Sequence, residues 1–166
     1  MAAGMQLKSL QLYEVDAGQG SPGLTGSTTW APTMAEEFDF AVECAAGEVA
    51  HRRQLQEVGL ATGQAIGDTH AIHDRDVAIK VLAQGGFRIV TSGPAPERGA
   101  TWEEVTSAAV RAVEELWSEI TTVATSLLSS PDLRLTAQQV TAVTGRLNPT
   151  TTPASPGPFL SRWRIP

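Results

Sequence analysis

Three threonines in this chain each stand three residues before a Glu or Gln, at the head of an apolar run with helical spacing. In such a capping box the threonine oxygen accepts a hydrogen bond from an amide of the first helical turn. The Glu or Gln side chain accepts one from the threonine amide in return. The repetition predicts three helix starts and a mainly α chain. The pairs are Thr33 with Glu36, Thr101 with Glu104, and Thr136 with Gln139.

The second box heads the clearest helical pattern. Apolar residues from Trp102 to Leu127 recur every three or four positions, a spacing that lines one face of a helix. Two glutamates fall in the first turn, where a carboxylate favours the positive end of the helix dipole. Pro131 cannot continue the hydrogen-bond ladder. The pattern predicts a helix over residues 102–128.

The first box predicts a helix from about residue 34, with apolar residues from Phe38 onward on roughly one face. Phe38, Phe40, Val42 and Cys44 also recur at every second position, so a strand is the competing interpretation. The capping box and the neighbouring alanines favour the helix.

Residues 77–92 change character, because β-branched residues stand on both sides of Gly85-Gly86. This arrangement predicts a short β-hairpin around a glycine turn. A helix that ends at Gly85 is the competing interpretation, since glycine commonly ends helices.

The third box predicts a short helix over residues 137–144, closed by Gly145. Residues 148–166 show no helical period and carry four prolines before an apolar tip with Phe159 and Trp163. This composition predicts an extended C-terminal arm.

The other end of the chain is predicted to be a second extended arm. Residues 16–32 are rich in Gly, Ser and Thr and follow an apolar stretch at residues 7–15. The predicted division is an N-terminal arm at 1–33, an α-rich domain at 34–147 and a C-terminal arm at 148–166.

Two sets of residues are candidates for a protein interface. Gly59, Gly63 and Gly67 recur every four residues, so on a helix they would form a stripe that another helix could approach closely. A broken helix is the competing interpretation, because each glycine costs about 1 kcal/mol relative to alanine. The aromatic residues of the arms are candidate anchors, because Trp is enriched in interface hot spots. They are Trp30, Phe159 and Trp163; the alternative is that the arms fold back on their own domain.

The histidines and carboxylates offer one candidate for metal chemistry. Glu48 and His51 lie three residues apart and would point the same way from a helix, as ligands do in carboxylate-bridged di-iron bundles. His70, His73 and Asp74 follow and could bind zinc by themselves, since two imidazoles and a carboxylate make a catalytic zinc set. A di-iron site of this kind needs a second such pair, so it would have to form across a dimer. A solvated polar surface is the simpler interpretation, and no cofactor is predicted.

Other chemistry is not supported by any motif. The chain has no nucleophile elbow and no phosphate-binding glycine loop. Cys44 is the single cysteine, which excludes an intramolecular disulfide, and its apolar surroundings predict a buried, inert thiol. An enzyme is therefore the less favoured class.

The net charge of −6 disfavours nucleic-acid binding, which requires a basic surface. The sequence begins without the basic and apolar regions of a secretory signal. No window approaches the roughly 18 apolar residues of a membrane span. These features predict a cytoplasmic or virion-associated protein.

We therefore expect a non-enzymatic structural or adaptor subunit of a larger protein assembly, for which a phage or phage-like particle is one setting. Its partners are expected to be proteins, in a homo-oligomer or larger assembly, and not nucleic acid, membrane or a small-molecule substrate. One alternative is a metal-binding protein or enzyme with a Glu/His site formed across a dimer. Another is a small regulatory or immunity-type protein that binds one partner through its acidic first helix.

Overall fold

The computed structural model describes residues 6–16, 22–30, 36–63 and 71–148. The helices in these ranges are α1 (Glu37–Glu57), α2 (Ala71–Gln84), α3 (Trp102–Leu128) and α4 (Ala137–Thr144). The strands are β1 (Leu7–Asp16), β2 (Pro22–Trp30), β3 (Arg88–Val90), β4 (Gly99–Thr101) and β5 (Arg134–Thr136). The fold is mainly α, as predicted, with a small antiparallel sheet and a separate pair of strands.

The chain divides into two compact units. Unit 1 comprises residues 1–34 and 117–166, and unit 2 comprises residues 35–116. The first half of α3 belongs to unit 2 and its second half to unit 1. Each unit has its own cluster of buried apolar residues, and the two clusters share no residue.

The core of unit 2 is built largely from alanine. Its buried residues are Ala41 and Ala45 of α1, Ala78 and Leu82 of α2, Ile89 of β3, Ala100 of β4, and Val105 and Ala109 of α3. Alanine fills little volume, so these elements must approach one another closely to reach normal interior density. Larger aromatic side chains, including those of Phe38 and Trp102, pack around this interior and are partly buried.

The region that begins near residue 34 is helical, but its predicted start is wrong. Glu36 is the N-cap of α1, has an extended backbone and forms no side-chain capping bond. The predicted box required Glu36 inside the first turn, whereas the helix begins one residue after it. Thr33 lies outside the described residues. Glu37 and Asp39 occupy the first turn instead, where their carboxylates favour the helix dipole.

A glycine ends α1 by a Schellman motif. Gly59 has a φ of 71°, its amide donates to the Gln56 carbonyl, and the Leu60 amide donates to the Leu55 carbonyl. Gly59 thus lies beyond α1, so the helix is interrupted at the first glycine of the predicted stripe, as in the broken-helix interpretation. Gly67 lies outside the described residues.

The predicted hairpin near residues 77–92 is wrong in its first half. Residues 77–84 form the last turns of α2, and Gly86, with a φ of 83°, ends that helix by a second Schellman motif. The Phe87 amide donates to the Leu82 carbonyl, and both side chains pack in the unit 2 core. β3 does follow the glycines, but its partner is β4, and the pairing is parallel.

The other two predicted helices are confirmed, together with their capping boxes. α3 covers residues 102–128, and Thr101 and Glu104 exchange the reciprocal bonds of a box. α4 covers residues 137–144, with a complete box at its start and Gly145 in the left-handed conformation at its end.

The sheet of unit 1 has the strand order β2-β1-β5 and is antiparallel. Side chains alternate along a strand, so Leu7 and Leu10 would normally face opposite sides of the sheet. A register shift between Leu7 and Ser9 inserts an extra residue. As a result, both leucines pack in one cluster with Leu127 and Leu135.

One side chain completes the sheet beside Leu7. The Leu7 amide donates to Oδ1 of Asn148 at 2.9 Å, and Nδ2 of Asn148 donates to the Leu7 carbonyl at 2.8 Å. These two bonds match the pair of N–H···O bonds that two directly opposite residues form in an antiparallel sheet. Asn148 therefore joins the first strand of unit 1 to the segment that follows α4.

Candidate interface: the open strand β2

β2 lies at one edge of the unit 1 sheet. It pairs with β1 from Leu7 opposite Trp30 to Asp16 opposite Pro22. Within the described part of the chain, no other strand pairs with β2. Its outer backbone amides and carbonyls therefore form an open edge, which is a template for the addition of another strand.

The far half of β1 and β2 extends beyond the rest of the sheet as a two-stranded ribbon. β5 pairs only with residues 9–11 of β1, and one further bond joins the Leu12 amide to the Leu133 carbonyl. Three large apolar side chains of the ribbon are exposed: Tyr13 by 43%, Val15 by 39% and Leu24 by 53%. An isolated two-stranded ribbon is marginally stable in water, so these side chains favour contact with another surface.

β2 lacks the features that usually protect an edge strand. Natural edge strands are commonly blocked by charged side chains, prolines or bulges. β2 contains no Asp, Glu, Lys or Arg over residues 22–30, and its single proline is the first residue. Charge is absent from the whole segment between Asp16 and Glu36. Among the described residues, β2 therefore has neither a strand on its outer side nor a charge that would oppose one.

The charge of the chain is divided unequally between the two units. Residues 35–116, which make up unit 2, carry fourteen acidic and seven basic side chains, for a net charge of −7. The remaining residues, which make up unit 1, carry four acidic and five basic side chains, for a net charge of +1. The open edge thus belongs to the nearly neutral unit.

The second half of α3 adds an uncharged surface to unit 1. The hydroxyls of Thr121, Thr122, Thr125, Ser126 and Ser129 each donate to a carbonyl three or four residues earlier in the chain. Because these donors are already bonded, burying this surface leaves few unsatisfied polar groups. Between residues 117 and 128 the only charge is Glu119, whose carboxylate accepts two bonds from the Arg146 guanidinium.

No protein-family model, curated protein or solved structure matches this chain. None of the helices in the described ranges is both long and apolar enough to cross a membrane.

The residues predicted as interface anchors lie in different places. Trp30 is partly buried and packs against the unit 1 cluster around Leu7 and Leu135. Gly59 ends α1, and Gly63 is exposed with no atom near the position of an added Cβ. Gly67, Phe159 and Trp163 lie outside the described residues.

Sequence reasoning missed the exposed ribbon side chains Tyr13, Val15 and Leu24. Their signal was present as a long uncharged segment that followed alternating apolar residues. Its composition resembled a loop, because Gly, Ser and Thr predominate. The pairing with β1 became visible only in three dimensions.

The predicted metal ligands are not assembled in the described residues. An oxygen of the Glu48 carboxylate lies 2.6 Å from Nη2 of Arg52, and His51 is exposed. His70 lies outside the described residues, and the side chain of His73 is likewise not described. Among the side chains that are described, no three from His, Cys, Asp and Glu form a group that could hold a metal ion.

Glu43 and Cys44 are partly buried neighbours in α1. Burial raises the pKa of the Glu43 carboxyl to about 7. Burial, and then the nearby carboxylates of Glu43 and Asp74, raise the pKa of the Cys44 thiol to about 12. A thiol with this pKa stays protonated at neutral pH and is a poor nucleophile. Cys44 is partly buried and not fully buried as predicted.

A shallow, open depression lies at the start of α3. Its lining comprises Phe38, Gly99, Ala100, Thr101, Glu103, Glu104, Ser107 and Arg111. Hydrogen bonds from the amide and hydroxyl of Thr101 lower the pKa of Glu104. A carboxylate engaged in this way caps the helix and is a weak proton acceptor.

Proposed function

We propose that this protein is a non-enzymatic structural or adaptor subunit of a larger protein assembly. The observation that carries the proposal is the uncharged, open edge of β2, which continues into a ribbon with exposed apolar side chains. The cores of protein interfaces are depleted of charged residues and enriched in aromatic ones. The ribbon and the edge have this character, whereas the surface of unit 2 is rich in charge.

The exposed side chains of the ribbon support the same proposal. A paired ribbon that extends past its sheet buries little apolar surface of its own. Tyr13 and Val15 lie on one face of the ribbon and Leu24 lies on the other. Neighbouring subunits that contact both faces would cover all three and hold the ribbon in place. A phage or phage-like particle is one setting in which such ribbons would join neighbours.

The proposal is tested by removing the apolar side chains of the ribbon without breaking the sheet. In Tyr13→Ser/Val15→Ser/Leu24→Ser, all three changes fall at exposed positions. We expect this variant to lose association in size-exclusion chromatography with light scattering and in cross-linking. The matched control is Val58→Ser/Leu60→Ser/Val110→Ser, which removes three exposed apolar residues of unit 2.

The measurement uses the full chain at several concentrations and in an extract of the source cells. Association that persists in the ribbon variant, or that is lost equally in the control, would refute the role of the ribbon. A chain that stays monomeric and binds no protein in either setting would refute the assembly function itself. Deleting residues 1–28 would be a poor test, because that segment contains Leu7 and most of the sheet.

The charge of unit 2 favours one second candidate, a regulatory module that binds a basic protein. Its net charge of −7 would attract such a partner over long range. Binding of this kind weakens steeply with salt. Capture that is abolished by 0.5 M salt yet unaffected by the ribbon variant would support this candidate over the assembly subunit.

A further inference from the structure

We propose that β2 pairs with β2 of a second copy of this chain, in antiparallel register, to form one continuous six-stranded sheet. The inference rests on the proposed assembly function and names its partner and its surface. It goes further in assigning the outer backbone edge of β2, and not the ribbon side chains, as the primary contact.

The open edge determines the kind of contact. Backbone groups at the edge of a sheet are satisfied best by another strand, which adds one ladder of hydrogen bonds. β2 is nine residues long and pairs with β1 along that length. A strand added on its other side would therefore meet a regular, extended template.

The charge distribution selects a second copy as the partner strand. Like charges directly opposite each other destabilise a strand pair, and β2 has none to oppose itself. Two copies that pair through β2 therefore bring no charged strand residue into the new ladder. The C-terminal segment is the competing strand, but the four prolines Pro149, Pro153, Pro156 and Pro158 have no amide hydrogen to donate to a ladder.

Symmetry selects the antiparallel arrangement. Two identical strands related by a two-fold axis perpendicular to the sheet run in opposite directions, and each presents the same residues to the other. The contact then closes with two copies. A parallel arrangement would leave an unequal pair of surfaces and no closed dimer.

The test places charge on the edge without disturbing the core of unit 1. Thr25 and Ser27 are exposed and stand opposite Tyr13 and Gln11, on the sheet face away from Leu10 and Leu12. We expect Thr25→Lys/Ser27→Lys to raise the dimer dissociation constant by about tenfold or more, because like charges then meet across the two-fold axis. Thr25→Glu/Ser27→Glu should have the same effect.

Mixing the two variants is the decisive measurement. Lysine and glutamate strands should form a mixed dimer, detected by light scattering at twice the chain mass of 17.5 kDa. The matched control is Gln138→Lys/Ala142→Lys, which adds the same charge at exposed positions of α4 and should dimerise like the unmodified chain.

Hydrogen exchange gives a readout that does not depend on any variant. Backbone amides of residues 23–30 in the unmodified chain should exchange more slowly at concentrations where the dimer forms. A monomeric unmodified chain, a dimer that survives the lysine variant, or exchange in β2 independent of concentration would each overturn the inference. If the ribbon variant still abolishes binding to another protein in those cases, the assembly function stands and only self-pairing fails.

Discussion

Gly99 shows how one missing side chain permits a backbone contact. An added Cβ at Gly99 would lie 2.0 Å from the carbonyl oxygen of Arg88, its partner in the β3–β4 pair. Neither backbone can move without separating the two strands. We expect Gly99→Ala to lower the free energy of unfolding by about 1–3 kcal/mol, measured by urea denaturation.

The matched control for this change is Gly47→Ala. Gly47 lies inside α1, and no atom is within 4 Å of the position of its added Cβ. Alanine should therefore raise the free energy of unfolding by about 0.5–1 kcal/mol, because glycine is a poor helix former. Equal effects of the two substitutions would contradict the close contact at Gly99.

Glu43 is expected to make stability depend on pH. Burial raises the pKa of its carboxyl to about 7 from an ordinary value of 4.5, so the folded chain holds a proton that the unfolded chain releases. The free energy of unfolding should then fall as pH rises from about 4.5 to 7, by roughly 1–3 kcal/mol, and stay lower above that window.

Glu43→Gln removes this titration. The variant should match the unmodified chain near pH 5 and exceed it in melting temperature at pH 8. Hydrogen bonds lower the pKa of Glu37, Glu104 and Glu119, whose effects therefore fall below this pH window. A melting-temperature difference between pH 5 and pH 8 that is the same in both proteins would exclude the contribution of Glu43.

At the scale of elements, the capping box at Thr101 determines where α3 begins. The Thr101 hydroxyl accepts a hydrogen bond from the Glu104 amide at 3.1 Å. We expect Thr101→Ala to cost about 1 kcal/mol of unfolding free energy, since an amide of the first turn loses its partner. Thr122→Ala is the control, because that exposed hydroxyl bonds back to the Ser118 carbonyl within the helix. The control should be neutral or slightly stabilising in the same urea titration.

The two helices that were predicted to the residue share a local cause. Their start and stop signals lie within a few residues of one another, in the boxes at Thr101 and Thr136 and at Gly145. The prediction from the first box was wrong because the sequence pattern does not determine whether Thr33 or Glu36 is the N-cap of α1. Residues 77–84 were misread because β-branched side chains favour strands, whereas packing of Ala78 and Leu82 in the core holds them in a helix.

Local sequence patterns could not predict the sheet of unit 1. β5 has only three residues and meets β1 across more than a hundred positions of chain. The bulge between Leu7 and Ser9 breaks the alternation that would have marked β1 as a half-buried strand. The candidate interface depends on this sheet, so its position could not be predicted either. Only the lack of charge in the β2 segment could be recognised from the sequence.

At the scale of the whole molecule, the separation of charge predicts how association responds to salt. Contact through neutral β2 should be nearly independent of ionic strength, with a dissociation constant that changes by less than about threefold between about 50 and 500 mM salt. Binding of a basic partner protein to acidic unit 2 should weaken by about tenfold or more over that range. Analytical ultracentrifugation at both salt concentrations distinguishes the two.

The pair of hydrogen bonds between Asn148 and Leu7 implies that the chain could be circularly permuted. Two positions separated by 141 residues lie side by side, so a short linker could join them and new ends could be cut in an exposed loop. Residues 91–95 are exposed and lie outside the helices and strands, which suits such a cut. In the permuted gene β5 would precede β1 and β2. The strand assigned to the dimer contact would then be the last of its sheet to leave the ribosome.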